Sequence, residues 1–265
     1  MFDCHVHSNF SGDSQMPVEK ACEAAINIGL DGIAFTDHLD LDYPDYNSLF
    51  NIDFNSYSNI MDRIKNDYIK KIKVIKGIEV GIQPHVISET VEIVEKYGFD
   101  FVIASIHVID RVDPYTGEYY KGKTKQKSFS RYLQEIEFGV RNFKNYDVIG
   151  HIGYIRRYCS YDDRSLRYDD FCDLIDSILK NVILDGKGIE INSQGYRGDL
   201  FSPIPDFDIV KRYKELGGEI ITIGSDAHYP EHVGHSFDVV REMLVDMDIK
   251  YTAHFENRKP VFDKL

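Results

Sequence analysis

The chain has 265 residues, 43% of them hydrophobic and 28% charged, with a net charge of −13. Such a composition suits a globular protein with a full core, and its acidity argues against a general electrostatic footprint for nucleic acid. No apolar run approaches the roughly 20 residues that span a bilayer. There is no secretory signal pattern, and Cys4, Cys22, Cys159 and Cys172 form no CxxC pair or disulfide framework. One cytoplasmic domain over residues 1–265 is the expectation.

The first strand-like run, residues 2–6, leads through Asp3-x-His5-x-His7. Alternate strand residues face one side, so both imidazoles project together and can clamp a divalent ion. Asp3 shares their parity and could orient an imidazole through its second nitrogen. Two interior histidines without metal are the plainer reading, but four further matching sites along the chain weigh against it. A helix is expected over 17–28, opening on Pro17 and stopping before Gly29.

The second strand, 32–36, ends in Thr36-Asp37-His38. Asp37 is left to bond nearby backbone or a ligand imidazole. Asp40, Asp42 and Asp45 follow; such a run is usually a solvated face, and attraction of a cationic group is the sharper alternative. After a helix over 53–69, the strand 73–80 carries Glu79 in Gly-Ile-Glu-Val. A glutamate in so apolar a run is expensive to bury alone. Bridging two cations would offset that, so Glu79 is expected to be a bridging carboxylate.

A helix over 85–97 and a strand over 99–106 lead to His107. The segment 114–127, rich in Gly, Tyr and Lys, reads as a mobile flap, with Lys121, Lys123, Lys125 and Lys127 solvated. A helix over 129–143 and a strand over 148–152 then bring His151, which with His107 would serve a second ion. Arg156, five residues past His151, is a candidate phosphate clamp, a role that suits the guanidinium fork. Arg157 reads as a solvated arginine.

Beyond a helix over 168–184, the strand 188–191 holds Glu190, either an internal structural acid or a group that holds a ligand or a substrate amine. Arg197 follows as a second candidate clamp. A helix over 206–216 and a strand over 219–223 lead to Gly224-Ser225-Asp226-Ala227-His228. Asp226 and His228 share parity, and Gly224 permits close backbone approach. His85, His232, His235 and His254 close no strand and read as surface or structural, with His232 nearest to a gating position.

Strands alternating with helices imply parallel strands joined by crossovers. An open doubly wound sheet would gather its ligands near one switch point. Here almost every strand end contributes a polar group, which favours an α/β barrel of seven units with a polynuclear metal site at the C-terminal ends of its strands.

The segments HVH after an initial Asp, TDH, GIEV, SIH, GHIGY and GSDAH, in that order and over nearly the whole chain, resemble the motif set of the PHP (polymerase and histidinol phosphatase) family. The resemblance implies a distorted (β/α)7 TIM-like barrel, three divalent ions (zinc, manganese or iron) and phosphoester hydrolysis. It assigns one ion to His5, His7, Glu79 and Asp226, a second to Glu79, His107 and His151, and a third to Asp13, His38 and His228. Some members have His where this chain has Asp13. Glu79, Asp226 and His228 would be the catalytic positions.

Ions in such a cluster lower the pKa of bound water toward about 7, and a hydroxide bridging two of them would attack phosphorus while the remaining ion binds phosphate oxygens. Chain length and the segments TDHLDLDYP, EVG, GHIGYIRRY and EINSQGYR resemble the histidinol-phosphate phosphatase branch. That implies conversion of L-histidinol phosphate and water to L-histidinol and phosphate. The expected partner is a small phosphorylated substrate, with neither membrane nor nucleic acid. A phosphoesterase for nucleotides or nucleic acid, which a basic groove with stacking aromatics would favour, is one alternative. A noncatalytic metal-binding regulatory module with closed coordination is the other.

Overall fold

The computed structural model describes residues 1–44, 50 and 52–265, so Asp45 falls outside the described part. Its main sheet runs in the order β1 (Phe2–Val6), β2 (Gly32–Phe35), β4 (Lys73–Gly81), β5 (Phe101–Ser105), β6 (Val148–Ile149), β7 (Gly188–Asn192) and β8 (Ile221–Gly224). The two-residue β3 (His38–Leu39) pairs with β4 just beyond β2 and resumes the same barrel position. All of these pairings are parallel. The edges then meet: Val6 bridges Ala227, His7 N donates to Ala227 O at 2.9 Å, and Asp226 N donates to His5 O at 2.8 Å. A nearly closed seven-position barrel results, as the alternation of elements predicts.

Helices α1 (Val18–Asn27), α2 (Phe54–Tyr68), α3 (Ile87–Tyr97), α4 (Lys125–Asn142), α5 (Cys172–Leu184), α6 (Phe207–Glu215) and α7 (Phe237–Asp246) surround the strands. Their apolar faces follow helical spacing. In α2, for example, Tyr57, Met61 and Ile64 are buried, the i, i+4, i+7 pattern of a core-facing stripe. Asp53 caps that helix by accepting from Asn55 N and Ser56 N, and the Tyr57 hydroxyl donates to Gly77 O at 2.8 Å, fixing α2 to β4. Among the described residues no helix is long and apolar enough to cross a membrane.

Two features differ from expectation. The antiparallel hairpin β9 (Tyr251–Glu256) and β10 (Lys259–Lys264), and helix α7, are additional to the predicted elements. Phe255 of the hairpin enters the N-terminal end of the barrel among Cys4, Ala34, Ile75, Phe101, Ile103 and Val148, and stoppers it with apolar material. The interior is therefore polar only at the opposite end. The second difference concerns 114–127, which is not a free flap. Tyr119 and Tyr120 are buried, their hydroxyls donate to Ser128 O at 2.7 Å and Ile155 O at 2.6 Å, and its last residues already belong to α4. Aromatic burial outweighs the looseness that its composition suggests.

Candidate metal centre

The open end of the barrel gathers all nine residues singled out as metal-type. Glu79 on β4 sits in the middle. Its Oε1 lies 2.8 Å from His151 Nε2 and 3.2 Å from His107 Nε2. Its Oε2 lies 3.2 Å from His5 Nε2, 3.2 Å from His38 Nδ1 and 3.5 Å from His7 Nε2. Asp226 Oδ1 is 3.4 Å from His7 Nε2. At the outer edge Asp13 Oδ2 stands 3.1 Å from His228 Nε2 and 3.5 Å from His38 Nε2.

Ligand-type atoms within 4.8 Å of one another fall into four overlapping groups: His7, Asp13, His38 and His228; His5, His151 and Asp226; His5, His7 and Glu79; and His38, Glu79 and His107. This grouping differs from the three sets of the sequence reading. His7 also reaches the outer group, His151 groups with His5 and Asp226, and His38 also groups with Glu79 and His107. These differences arise because the ligand-bearing strand ends crowd together at the barrel rim.

The donor set suits divalent cations. Glu79 Oε2, Asp40 Oδ2, His38 Nδ1 and His151 Nδ1 are buried and make no hydrogen bond. Buried polar atoms are normally paired, and a carboxylate facing imidazole nitrogens at this spacing matches the N/O ligation of zinc and related ions. Burial, followed by the nearby His228 and His38, pushes His7 down to about 3, so it stays in the neutral ligand form. Burial pushes Glu79 the other way, but the adjacent His5, His107 and His38 outweigh it and hold the carboxyl well below its usual range.

A second layer orients these ligands. His5 Nδ1 lies 2.5 Å from Glu190 Oε1, and His151 N donates to Glu190 Oε2 at 2.7 Å. His107 Nδ1 lies 2.9 Å from Asp40 Oδ1. His7 Nδ1 is 3.1 Å from Ser11 Oγ, which donates to Asp37 Oδ1 at 2.9 Å. Fixing the second imidazole nitrogen sets tautomer and ring orientation. Glu190 thus occupies the position expected of Asp3, whose carboxylate instead accepts from Ser225 N, Ser225 Oγ and Gly234 N beneath the last loop. In sequence Asp40 stands in an acidic run, a solvated face or an attractor of a cationic group, and its contact with His107 shows once β3 folds it back.

Glu190 fits because Gly224 has no side chain. A Cβ there would come within 2.4 Å of Glu190 Oε1 and of His5 Cβ. Asp226, two residues on, takes left-handed backbone with φ 55°, a conformation that non-glycine residues hold only when the surroundings enforce it.

The arginines are where the structure corrects the sequence reading most. Arg156, expected as a phosphate clamp, is turned into the protein. It donates to Arg164 O at 2.9 Å, Pro203 O at 3.2 Å and Ser202 Oγ at 2.8 Å, and pairs with Asp206 at 3.0 Å. Arg197, the other expected clamp, donates to Ser225 O at 2.5 Å and Asp226 O at 2.8 Å, and so braces the strained backbone of Asp226. Arg157, read as solvated, faces the centre and donates to Asp226 Oδ2 at 2.7 Å. The two neighbours sit on a short 3-10 turn (Tyr154–Arg157) whose phase, invisible in sequence, decides which of them points inward.

Above the cluster lies a cavity of about 390 Å³, lined by metal-type residues, Arg157, Asp40, Asp113 and the rings of Tyr43, Phe50, Tyr115, Tyr154 and Tyr158. Asp42 lies outside it on the surface, paired with Arg111 and His85 at 2.8 Å each. His254 is structural: it is buried between Asp263 and Glu256 and stacks on Phe2 with centroids 3.7 Å apart.

The PHP domain model matches residues 3–194. The chain is 34% identical to the probable histidinol-phosphatase of Clostridium acetobutylicum over 259 residues, covering 97% of this chain and 98% of that protein. It is 32% identical to the histidinol-phosphatase of Lactococcus lactis over 258 residues, covering 97% and 95%. The fold superposes with a TM-score of 0.92, over 99% of this chain and 98% of the other, on a crystal structure of histidinol phosphate phosphatase from Lactococcus lactis complexed with zinc, L-histidinol and phosphate. With its barrel, its ligand-bearing strand ends and these likenesses in agreement, the chain belongs to the PHP domain family.

Proposed function

We infer that this protein is a metal-dependent phosphatase that hydrolyses L-histidinol phosphate to L-histidinol and phosphate. One arrangement carries the reading: a ring of imidazoles and carboxylates around Glu79, with an inward-facing Arg157, at the floor of a small cavity. The likeness of almost the entire chain to histidinol phosphatases supports the substrate.

Three ions of zinc, manganese or iron would be held by His5, His7, Asp13, His38, Glu79, His107, His151, Asp226 and His228. When bound, they supply an acidified water and positive charge for a phosphate dianion. The chain's own residues do the rest. Arg157 has a buried Nε–H without a partner, a donor left for a phosphate oxygen. Asp226 is held ionised because Arg157 and His5 outweigh the burial that would raise its pKa, so its carboxylate stays in the form that can hold a cation. Glu190 and Asp40 hold His5 and His107 in register.

The cavity suits a small molecule, and Asp13, Asp40 and Asp113 on its walls disfavour a polyanionic strand. A cytoplasmic setting and a small phosphorylated partner belong to the same proposal. The test is phosphate release by the purified, metal-loaded protein from L-histidinol phosphate, nucleotides and oligonucleotides. Preferential turnover of L-histidinol phosphate is expected, and equal or faster cleavage of nucleotides would sink the reading.

A further inference from the structure

The loop from β1 to α1 carries Asp13, and three serines in it turn inward at a spacing of three. Ser8, Ser11 and Ser14 are all but fully buried. The loop winds through two successive turns, Ser11 N donating to Ser8 O at 3.0 Å and Ser14 N to Ser11 O at 3.2 Å. Ser8 Oγ donates to Asp37 Oδ2 at 2.8 Å, and Ser14 Oγ to His228 O at 3.2 Å. These two hydroxyls tie the loop to its surroundings, as buried polar groups normally do. Ser11 differs, because it meets two metal-type residues at once.

A hydroxyl offers one proton and two lone pairs, and at Ser11 all three are assigned. The backbone N–H of His38 can only donate, and it takes one lone pair at 3.0 Å. Asp37 Oδ1, which also accepts from Ser8 N at 2.6 Å, takes the hydroxyl proton at 2.9 Å. The remaining lone pair faces His7 Nδ1 at 3.1 Å, so that nitrogen carries the ring proton. His7 Nε2 is then left bare, facing Glu79 and Asp226. One oxygen thereby fixes the tautomer of His7 and the backbone of His38, whose rings stack with centroids 4.3 Å apart. The His107 ring and the His151 backbone are held elsewhere, by Asp40 and Glu190.

We propose that Ser11 is a positioning residue that couples two of the three ions and leaves the remaining one independent. The proposal rests on the metal-dependent reading and on its three ligand sets. Ser11 reaches the set of His5, His7, Glu79 and Asp226 through the His7 ring, and the set of Asp13, His38 and His228 through the His38 backbone. It bonds to no ligand of the set of Glu79, His107 and His151. Without the hydroxyl, the His7 ring is free to take the other tautomer and the backbone of His38 loses its anchor. Both ions then weaken together.

The test compares metal-free wild type with Ser11→Ala by the nitrogen-15 shifts of the His7 ring, and by the zinc each protein retains in buffers of fixed free zinc. Far-UV circular dichroism checks the fold. His7 of the wild type should carry its proton on Nδ1, and a proton on Nε2 overturns the proposal without recourse to any variant. At the free zinc that just fills the wild type, Ser11→Ala should hold one ion where the wild type holds three, because two affinities fall by roughly 10- to 100-fold. Ser11→Thr, which keeps the hydroxyl, should recover both. Three ions retained by Ser11→Ala, equal weakening of all three, or a loss confined to one would each overturn the coupling. A wild type that takes up no zinc sinks the metal-dependent reading and the coupling with it, whereas failure of the coupling alone leaves uptake by the wild type intact.

Discussion

Replacing Glu190 by glutamine changes one charge and almost no volume, so it isolates what the second layer does for the metal centre. Glu190 is fully buried and receives donors on both oxygens, His5 Nδ1 at 2.5 Å and His151 N at 2.7 Å. With His5 Nε2 turned to the metal site, Nδ1 carries the proton. A glutamine can accept only on its carbonyl oxygen, so its NH2 group must face one of those two donors. Losing a charge-assisted hydrogen bond costs about 1.5–3 kcal/mol, which at 1.36 kcal/mol per tenfold corresponds to roughly 10- to 150-fold in metal affinity. That range agrees with the 10–100-fold typical of partners that orient metal ligands. The assay strips the protein of metal, titrates zinc against a chromophoric chelator of known affinity, and follows far-UV circular dichroism to exclude unfolding. Affinity and phosphatase activity should fall together while the fold persists. A folded Glu190→Gln protein that binds zinc as tightly as wild type would refute the idea that Glu190 orients His5.

The adjacent arginines should separate cleanly. In the metal-loaded protein Arg157→Ala should lower kcat/KM by roughly a hundredfold, with a smaller Tm loss than Arg156→Ala because bound cations would still offset the Asp226 charge. Arg156→Ala should instead cost about 3 kcal/mol of stability by stranding the partly buried Asp206, read as a Tm drop of several degrees; the reverse pattern would restore the sequence reading. Metal uptake should tighten as pH rises from 7 to 9. Burial lowers the His107 pKa, but Asp40 and Glu79 outweigh it and raise it to about 9 in the metal-free protein, so below that pH its proton must leave before it can ligate. Calorimetry in buffers of different ionisation enthalpy reads that proton release, and pH-independent uptake without release contradicts it. Phe255→Ala should destabilise the barrel by about 3–5 kcal/mol with metal stoichiometry unchanged. Loss of metal without loss of stability would show that the stopper serves the site rather than the fold.

Much of the site was legible because strand parity and strand ends carry it. Asp3-x-His5-x-His7 and the Asp226–His228 pair are local patterns, and the alternation of apolar runs with amphipathic stretches is enough to predict the barrel. The misreadings came where a single turn decides direction. Arg156 and Arg157 differ by one step of a 3-10 turn, and β3 folds Asp40 back onto His107 after a two-residue break in the strand. Choosing Glu190 over Asp3 as the partner of His5 needed knowledge of which side chain lies across the barrel, which no local window contains. The β9–β10 hairpin did leave a signal: an alternating run over 251–256 leads into Asn257-Arg258, both at positive φ, as a two-residue hairpin turn requires.

The seam between β1 and the residues after β8 also has a bearing on how the chain acquires its structure. His5 and Asp226 meet across that seam, and Phe255 reaches the base of β1 from still later in the chain. Along the chain His5 and His7 come far ahead of the groups that complete their surroundings. Contacts of such long sequence separation slow folding. Strands β1 to β7 therefore wait with an unpaired β1 edge until residues 221–255 are available. High metal affinity should arrive late on the folding pathway, once that seam has closed, rather than as a nucleus around which the barrel forms.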